Sequence, residues 1–118
     1  MNTTMIAELR QTVLINVGNI ESIPLGEGRE FQVGDEDVVI FRSRDGVVYA
    51  LQALCPHREG HLADGITGDG KIICPMHAYK FELATGAPVG NDCQALKTYA
   101  VRIGQAGEIL LQWSSSTK

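Results

Sequence analysis

The sequence predicts an all-β fold, and three observations carry that expectation. Apolar and β-branched runs of four to seven residues recur along the chain, separated by Gly and Asp clusters. Asp45-Gly46 falls between two such runs, where glycine accepts the positive φ that a hairpin turn demands. No 11-residue window holds a 3.6-residue apolar period except 5–13, which reads as a short helix or a frayed arm. Taken in order, strands are predicted at 13–17, 29–33, 37–42, 47–52, 71–74, 80–83, 96–103 and 108–112. Asp45-Gly46 joins the third to the fourth, and Ala106-Gly107 turns the chain into the last. Residues 114–118 read as a flexible tail.

Length and composition bound the rest. At 118 residues the chain is one domain, residues 1–118, with no internal repeat and no interdomain linker. Hydrophobic residues at 44% and charged residues at 20% are those of an ordered globular protein. Ten Lys and Arg against fourteen Asp and Glu leave a net charge of -4, the wrong sign for a nucleic-acid footprint. The longest apolar run, 47–51, is five residues, far short of a membrane-spanning helix. Residues 1–17 hold Glu8 and Arg10 and no continuous apolar stretch, so no cleavable export signal is expected. Three cysteines cannot close into disulfides without one left over. They read as thiols in a reducing cytosol, and the protein as cytoplasmic.

One segment breaks the strand rhythm. From Leu54 to Gly70 the chain is rich in turn formers, and Lys71-Ile-Ile-Cys-Pro-Met-His77 follows at once. Cys55 and His57 form a Cys-x-His pair, Cys74 and His77 a Cys-x-x-His pair, with sixteen residues between them. Each loop thus offers one thiolate and one imidazole. Soft thiolate suits zinc or iron–sulfur iron, and neutral imidazole suits either metal. On ligand types alone, a zinc ion stapling two loops and an iron–sulfur site both fit. Pro56 and Pro75 follow the two cysteines, where a fixed φ stiffens each loop.

The pattern Cys-Pro-His, sixteen residues, Cys-Pro-Met-His resembles the Rieske [2Fe–2S] signature. The likeness extends to Phe81, Thr85-Gly86, Pro88, Leu96 and Tyr99-x-Val101 behind the ligands, and to Asp45-Gly46 with Val48-Tyr49-Ala50 ahead of them. It covers nearly everything from Ile20 to Leu111. It implies an antiparallel β sandwich or barrel of Rieske type, with a two-loop cluster-binding subdomain at about 54–82. It also implies that Cys55 and Cys74 bind one iron of a [2Fe–2S] cluster, and His57 and His77 the other. Two ferric ions and two sulfides carry two positive charges, which two thiolates neutralise. Reducing a neutral site costs less than reducing the dianion that four thiolates would leave, so imidazole ligation raises the potential.

High-potential members of the family carry a disulfide between the ligand loops and hydroxyls that hydrogen-bond the cluster sulfurs. Here the disulfide positions hold Gly60 and Met76, the serine position Tyr79 and the tyrosine position Phe81. The resemblance therefore implies a midpoint toward the low end of the Rieske range, about -150 to +300 mV.

A site with all four protein ligands in place has no open position for substrate. No Rossmann fingerprint and no two-His-one-carboxylate triad accompany it. The implied role is a one-electron carrier that is not catalytic alone. Pro24-Leu-Gly-Glu-Gly-Arg29, Leu62-Ala-Asp-Gly-Ile66 and Leu83-Ala-Thr-Gly86 resemble the small subunit of NAD(P)H-dependent assimilatory nitrite reductase. That implies a large flavin and sirohaem subunit as partner, reducing nitrite to ammonium. Cys93-Gln-Ala-Leu-Lys97 resembles ferredoxins of multicomponent aromatic-ring oxygenases, which implies a flavoprotein reductase and a terminal oxygenase instead.

Other residues in the region read more simply. Cys93 is expected as a small structural thiol, and His61 as a solvated loop histidine or a rim residue. Arg58, Glu59 and Lys80 read as solvated charges or as charges that shape a docking face around the histidines, Leu62 and Met76 as apolar cover, and Gly60, Gly65 and Gly86 as turn residues.

Overall fold

The computed structural model describes residues 12–56, 60–75 and 78–114. Eleven strands follow in chain order: β1 (Thr12–Asn19), β2 (Glu27–Val33), β3 (Glu36–Arg42), β4 (Val48–Gln52), β5 (Ile66–Gly68), β6 (Lys71–Ile73), β7 (Lys80–Glu82), β8 (Pro88–Val89), β9 (Thr98–Tyr99), β10 (Val101–Ile103) and β11 (Glu108–Ser114). They pair antiparallel throughout, in three sheets ordered β1-β11-β10, β2-β3-β4-β9 and β5-β6-β7-β8. The all-β expectation holds, and among the described residues the only helical turns are two short 3₁₀ segments, Ile20–Ser22 and Leu62–Asp64.

The apolar run Val38–Phe41 has no alternation because the sheet that contains it is covered on both faces. Val38 and Ile40 point into one buried core with Ile20, Ile23, Val33, Ala50, Ile109 and Leu111. Val39 and Phe41 point into a second core with Leu51, Leu62, Ile72, Phe81, Leu83 and Leu96. Successive side chains on a strand face opposite sides, so one strand serves both cores. Phe41 and Phe81 are fully enclosed in the second core, where truncation of either to Ala would cost about 3–5 kcal/mol. The second core also contains Cys55 and Cys74, so the base of the molecule and the loop region share one apolar interior.

The hairpin at Asp45-Gly46 forms as expected. Gly46 takes φ 90°, the Ser43 amide donates to the Val47 carbonyl at 2.9 Å, and the Asp45 carboxylate accepts from the Ser43 hydroxyl. That hydroxyl holds the Asp45 carboxyl below its usual range.

Three details differ from the expectation. The predicted strand 96–103 divides at Ala100: Thr98–Tyr99 pairs with β4, while Val101–Ile103 pairs with β11. The Ala100 carbonyl accepts from the Gln112 amide at 2.9 Å, so the chain crosses from one sheet to the other without losing its hydrogen bonds. Tyr99 stacks on Trp113 at this crossing, with ring centroids 5.4 Å apart. Secondly, β5 and β8 were not predicted. Thirdly, Ser114 belongs to β11 rather than to a tail, and Thr12 and Val13 belong to β1. The rest of the expected N-terminal helix or arm, and residues 115–118, lie outside the described residues.

Candidate metal centre

Cys55 and Cys74 stand at the mouths of two loops built to the same plan. In the first, Leu54 bridges to His61 and the Cys55 amide donates to the Gly60 carbonyl at 2.8 Å. In the second, Ile73 pairs with Lys80 and the Cys74 amide donates to the Tyr79 carbonyl at 2.7 Å. Each cysteine therefore bonds the carbonyl five residues further on. That closure fixes the backbone of each cysteine. Pro56 and Pro75, which follow them, are exposed. The candidate ligands His57 and His77 lie outside the described residues, as do Arg58, Glu59 and Met76.

Both cysteines are enclosed, Cys55 at 0% and Cys74 at 1% exposure, in the second core. No disulfide joins any of the three cysteines. Their side chains lie among apolar neighbours, and this donor set fits a pair of sulfur ligands held by a metal in a dry site. Among the described residues no group of three or more His, Cys, Asp or Glu side chains gathers to hold an ion.

The two loops are registered against each other at Gly65. This residue ends the first loop beside Ile66, whose strand partner is Ile73, so Gly65 falls opposite Cys74. A Cβ on Gly65 would lie 2.2 Å from the Ile73 carbonyl oxygen. Gly65 was expected to serve a turn. It does so, its amide donating to the Leu62 carbonyl at 2.9 Å; what requires glycine is the close backbone approach, since its φ of -85° is open to any residue. Leu62 is fully buried beneath the first loop, as expected for apolar cover.

Straps outside the loops complete the setting. His61 is not merely solvated: its Nδ1 lies 2.6 Å from Glu30 Oε2 on β2, and that hydrogen bond, with the charge of Glu30, raises the imidazole above its ordinary pKa. Thr67 Oγ1 donates to the Gly26 carbonyl at 2.9 Å, a second tie from the loop region to the start of β2. Cys93 is half-buried against the second core and beside a shallow hollow lined by Pro56, Tyr79, Asn91 and Asp92. Partial desolvation, then the neighbouring Cys55, pushes its thiol up from the ordinary value. A thiol so shifted stays protonated at neutral pH, which suits the structural role expected of it.

Residues 13–100 match the Rieske [2Fe-2S] domain family, some three-quarters of the chain. The chain belongs to this family. Such a domain carries a Rieske-type [2Fe–2S] cluster, whose chemistry is the gain and loss of one electron. The zinc staple is accordingly set aside. The biphenyl dioxygenase ferredoxin subunit of Pseudomonas sp. (strain KKS102) is 32% identical over 98 residues, covering 81% of this chain and 88% of its own. The ferredoxin of carbazole 1,9a-dioxygenase from Nocardioides aromaticivorans IC177 superposes with a TM-score of 0.76 at 30% identity, covering 84% of this chain and 96% of that one. A protein described as the small subunit of an NADH-dependent nitrite reductase from Mycobacterium tuberculosis superposes with a TM-score of 0.81 at 21% identity, over 90% of this chain and 99% of that one. Both superpositions agree with the antiparallel Rieske-type fold expected from the sequence. No helix among the described residues is long and apolar enough to cross a membrane.

Proposed function

We propose that the protein is a one-electron carrier in which Cys55 and Cys74 hold the buried iron of the cluster and His57 and His77 hold the outer one. The observation that supports this most is the matched closure of two loops around a pair of cysteines in one apolar core. Each loop then carries its histidine two or three residues beyond the cysteine. The protein's own contribution is to exclude water from the sulfur side and fix both loops through Gly65. In this reading residues 1–118 are a single domain, with 54–82 as its cluster-binding subdomain.

Two readings of the partner each have specific support. Pro24-Leu-Gly-Glu-Gly-Arg29 and Leu83-Ala-Thr-Gly86 favour a small subunit of NAD(P)H-dependent nitrite reductase, acting beside a flavin and sirohaem subunit in the cytoplasm. The 32% and 30% identities to dioxygenase ferredoxins favour a carrier between a flavoprotein reductase and a terminal oxygenase.

The assignment is tested by reconstitution. NADH with a nitrite reductase large subunit, or NADH with a biphenyl dioxygenase reductase, is mixed with the oxidised protein and bleaching of its visible absorption is followed. Reduction by the first alone supports the nitrite reductase reading, by the second alone the oxygenase reading. His57→Ala or His77→Ala that left the visible spectrum unchanged would contradict the ligand assignment. His57→Cys replaces imidazole by thiolate, adds negative charge, and is expected to lower the midpoint or cost the cluster.

A further inference from the structure

The third sheet has two unlike faces. Partners across an antiparallel ladder project to the same side. Thr67, Ile72, Phe81 and Pro88 form the inner row, in which Ile72 and Phe81 are fully buried. The same register aligns Ile66, Ile73, Lys80 and Val89 in a row on the outward side, one residue from each of β5, β6, β7 and β8. Ile66 is 69% exposed, Lys80 is exposed, and Ile73 and Val89 are half-buried. This row lies at the loop end of the sheet: Ile73 precedes Cys74, Lys80 follows Tyr79, and Ile66 follows Gly65.

The row carries one charge, Lys80. No carboxylate pairs with Lys80 among the described residues. Glu82, two residues on and on the same face, instead accepts from the Thr85 hydroxyl at 3.1 Å. Lys71, opposite Glu82, donates to the Asp69 carbonyl at 3.3 Å. An uncompensated cation thus stands between apolar side chains, on a chain whose net charge is -4.

We infer that the row Ile66-Ile73-Lys80-Val89 is a docking strip for a redox protein whose contact surface is apolar and carries a carboxylate that meets Lys80. The inference rests on the electron-carrier reading above. Ile66 is the most exposed large apolar side chain among the described residues and has half-buried Ile73 and Val89 in its row; apolar groups gathered in this way mark contact surfaces, and this strip adjoins Cys74 directly along the chain. An acidic partner is repelled by the molecule as a whole and attracted at Lys80. That contrast steers it to the loop end of the sheet rather than to the base.

The test compares wild type with Lys80→Glu and Ile66→Ser, each loaded with its cluster, using whichever flavoprotein donor of the previous subsection reduces the wild type. The second-order reduction rate is measured at low and high salt, beside the midpoint potential and the rate with dithionite, which needs no docking. Reversing Lys80 is expected to slow protein-mediated reduction about tenfold or more at low salt and to flatten or invert its salt dependence. Ile66→Ser should slow reduction at every salt concentration. Midpoints and dithionite rates should stay at the wild-type values. Wild-type rates for both variants with that donor would overturn the strip and leave the electron-carrier reading intact. A wild-type cluster that neither donor reduces would overturn both.

Discussion

Gly65→Ala is the sharpest perturbation of the centre that leaves every ligand in place. The added Cβ would sit 2.2 Å from the Ile73 carbonyl oxygen, 3.1 Å from Ile72 Cδ1 and 3.2 Å from the Ile73 carbonyl carbon. Side-chain carbons do not approach within 3.0 Å of such atoms, so the first loop and β6 must separate by about 0.8 Å or more, the difference between 3.0 and 2.2. Backbone cannot rotate aside as a side chain does, and the displaced carbonyl belongs to the residue before Cys74. Overpacking of this kind costs about 1–3 kcal/mol. At about 2.1 cal/mol/K of unfolding entropy per residue, 118 residues give roughly 4 °C per kcal/mol, so the melting temperature of the cluster-free protein should fall about 4–12 °C. Because metal sites tolerate only about 0.5 Å of misplacement, cluster loading should fall further than stability does. Iron and acid-labile sulfide per chain, measured beside a calorimetric melt, report the two effects separately. A Gly65→Ala protein with full iron content and a melting temperature within 2 °C of wild type, well inside the smallest shift expected, would refute this role for the close approach.

Three further outcomes follow from the same geometry. Cys93→Ala should keep its iron whereas Cys74→Ala should lose it, because only Cys74 opens a closed ligand loop; iron content per chain decides. The His61–Glu30 pair should stabilise the fold at low pH: with the folded imidazole raised above its ordinary 6.5, its contribution is complete below that pH and is lost as pH rises through the folded pKa. Glu30→Gln should therefore flatten the decline in melting temperature between about pH 6 and pH 8, and an unaltered decline would remove the pair from the explanation. The midpoint should fall in the lower part of the Rieske range, since Gly60 stands where the disulfide would be and Phe81, fully buried, offers no hydroxyl. A redox titration giving more than about +100 mV would contradict that.

The candidate ligands stood out because their spacing is local. Cys-Pro-His and Cys-Pro-Met-His each offer a thiol and an imidazole within four residues, and their turn-rich surroundings separate them from the strands. The run Val38–Phe41 gave its strand away by β-branched content, although only the structure shows that the run is continuous because two cores flank it. What escaped was set by partners distant in sequence. Ile66–Gly68 is three residues between Gly65 and Asp69-Gly70, so local turn signals outweigh a strand that exists through its pairing with β6. Pro88–Val89 begins with a residue that cannot donate to a ladder and survives only at a sheet edge. Glu30 gives no sign in sequence that it will meet His61, thirty-one residues away. Gly65 looks like any turn glycine until the carbonyl of Ile73 is placed against it.

Two irons bridged by sulfide, held between unlike ligand pairs, are what every step above requires of this fold. Iron and acid-labile sulfide assays on anaerobically purified protein, with an EPR spectrum after dithionite reduction, test this most directly. About two iron and two sulfide per chain, with a reduced signal whose average g lies below that of the free electron, is the expected result. A colourless protein holding zinc, or holding neither iron nor sulfide, would contradict it.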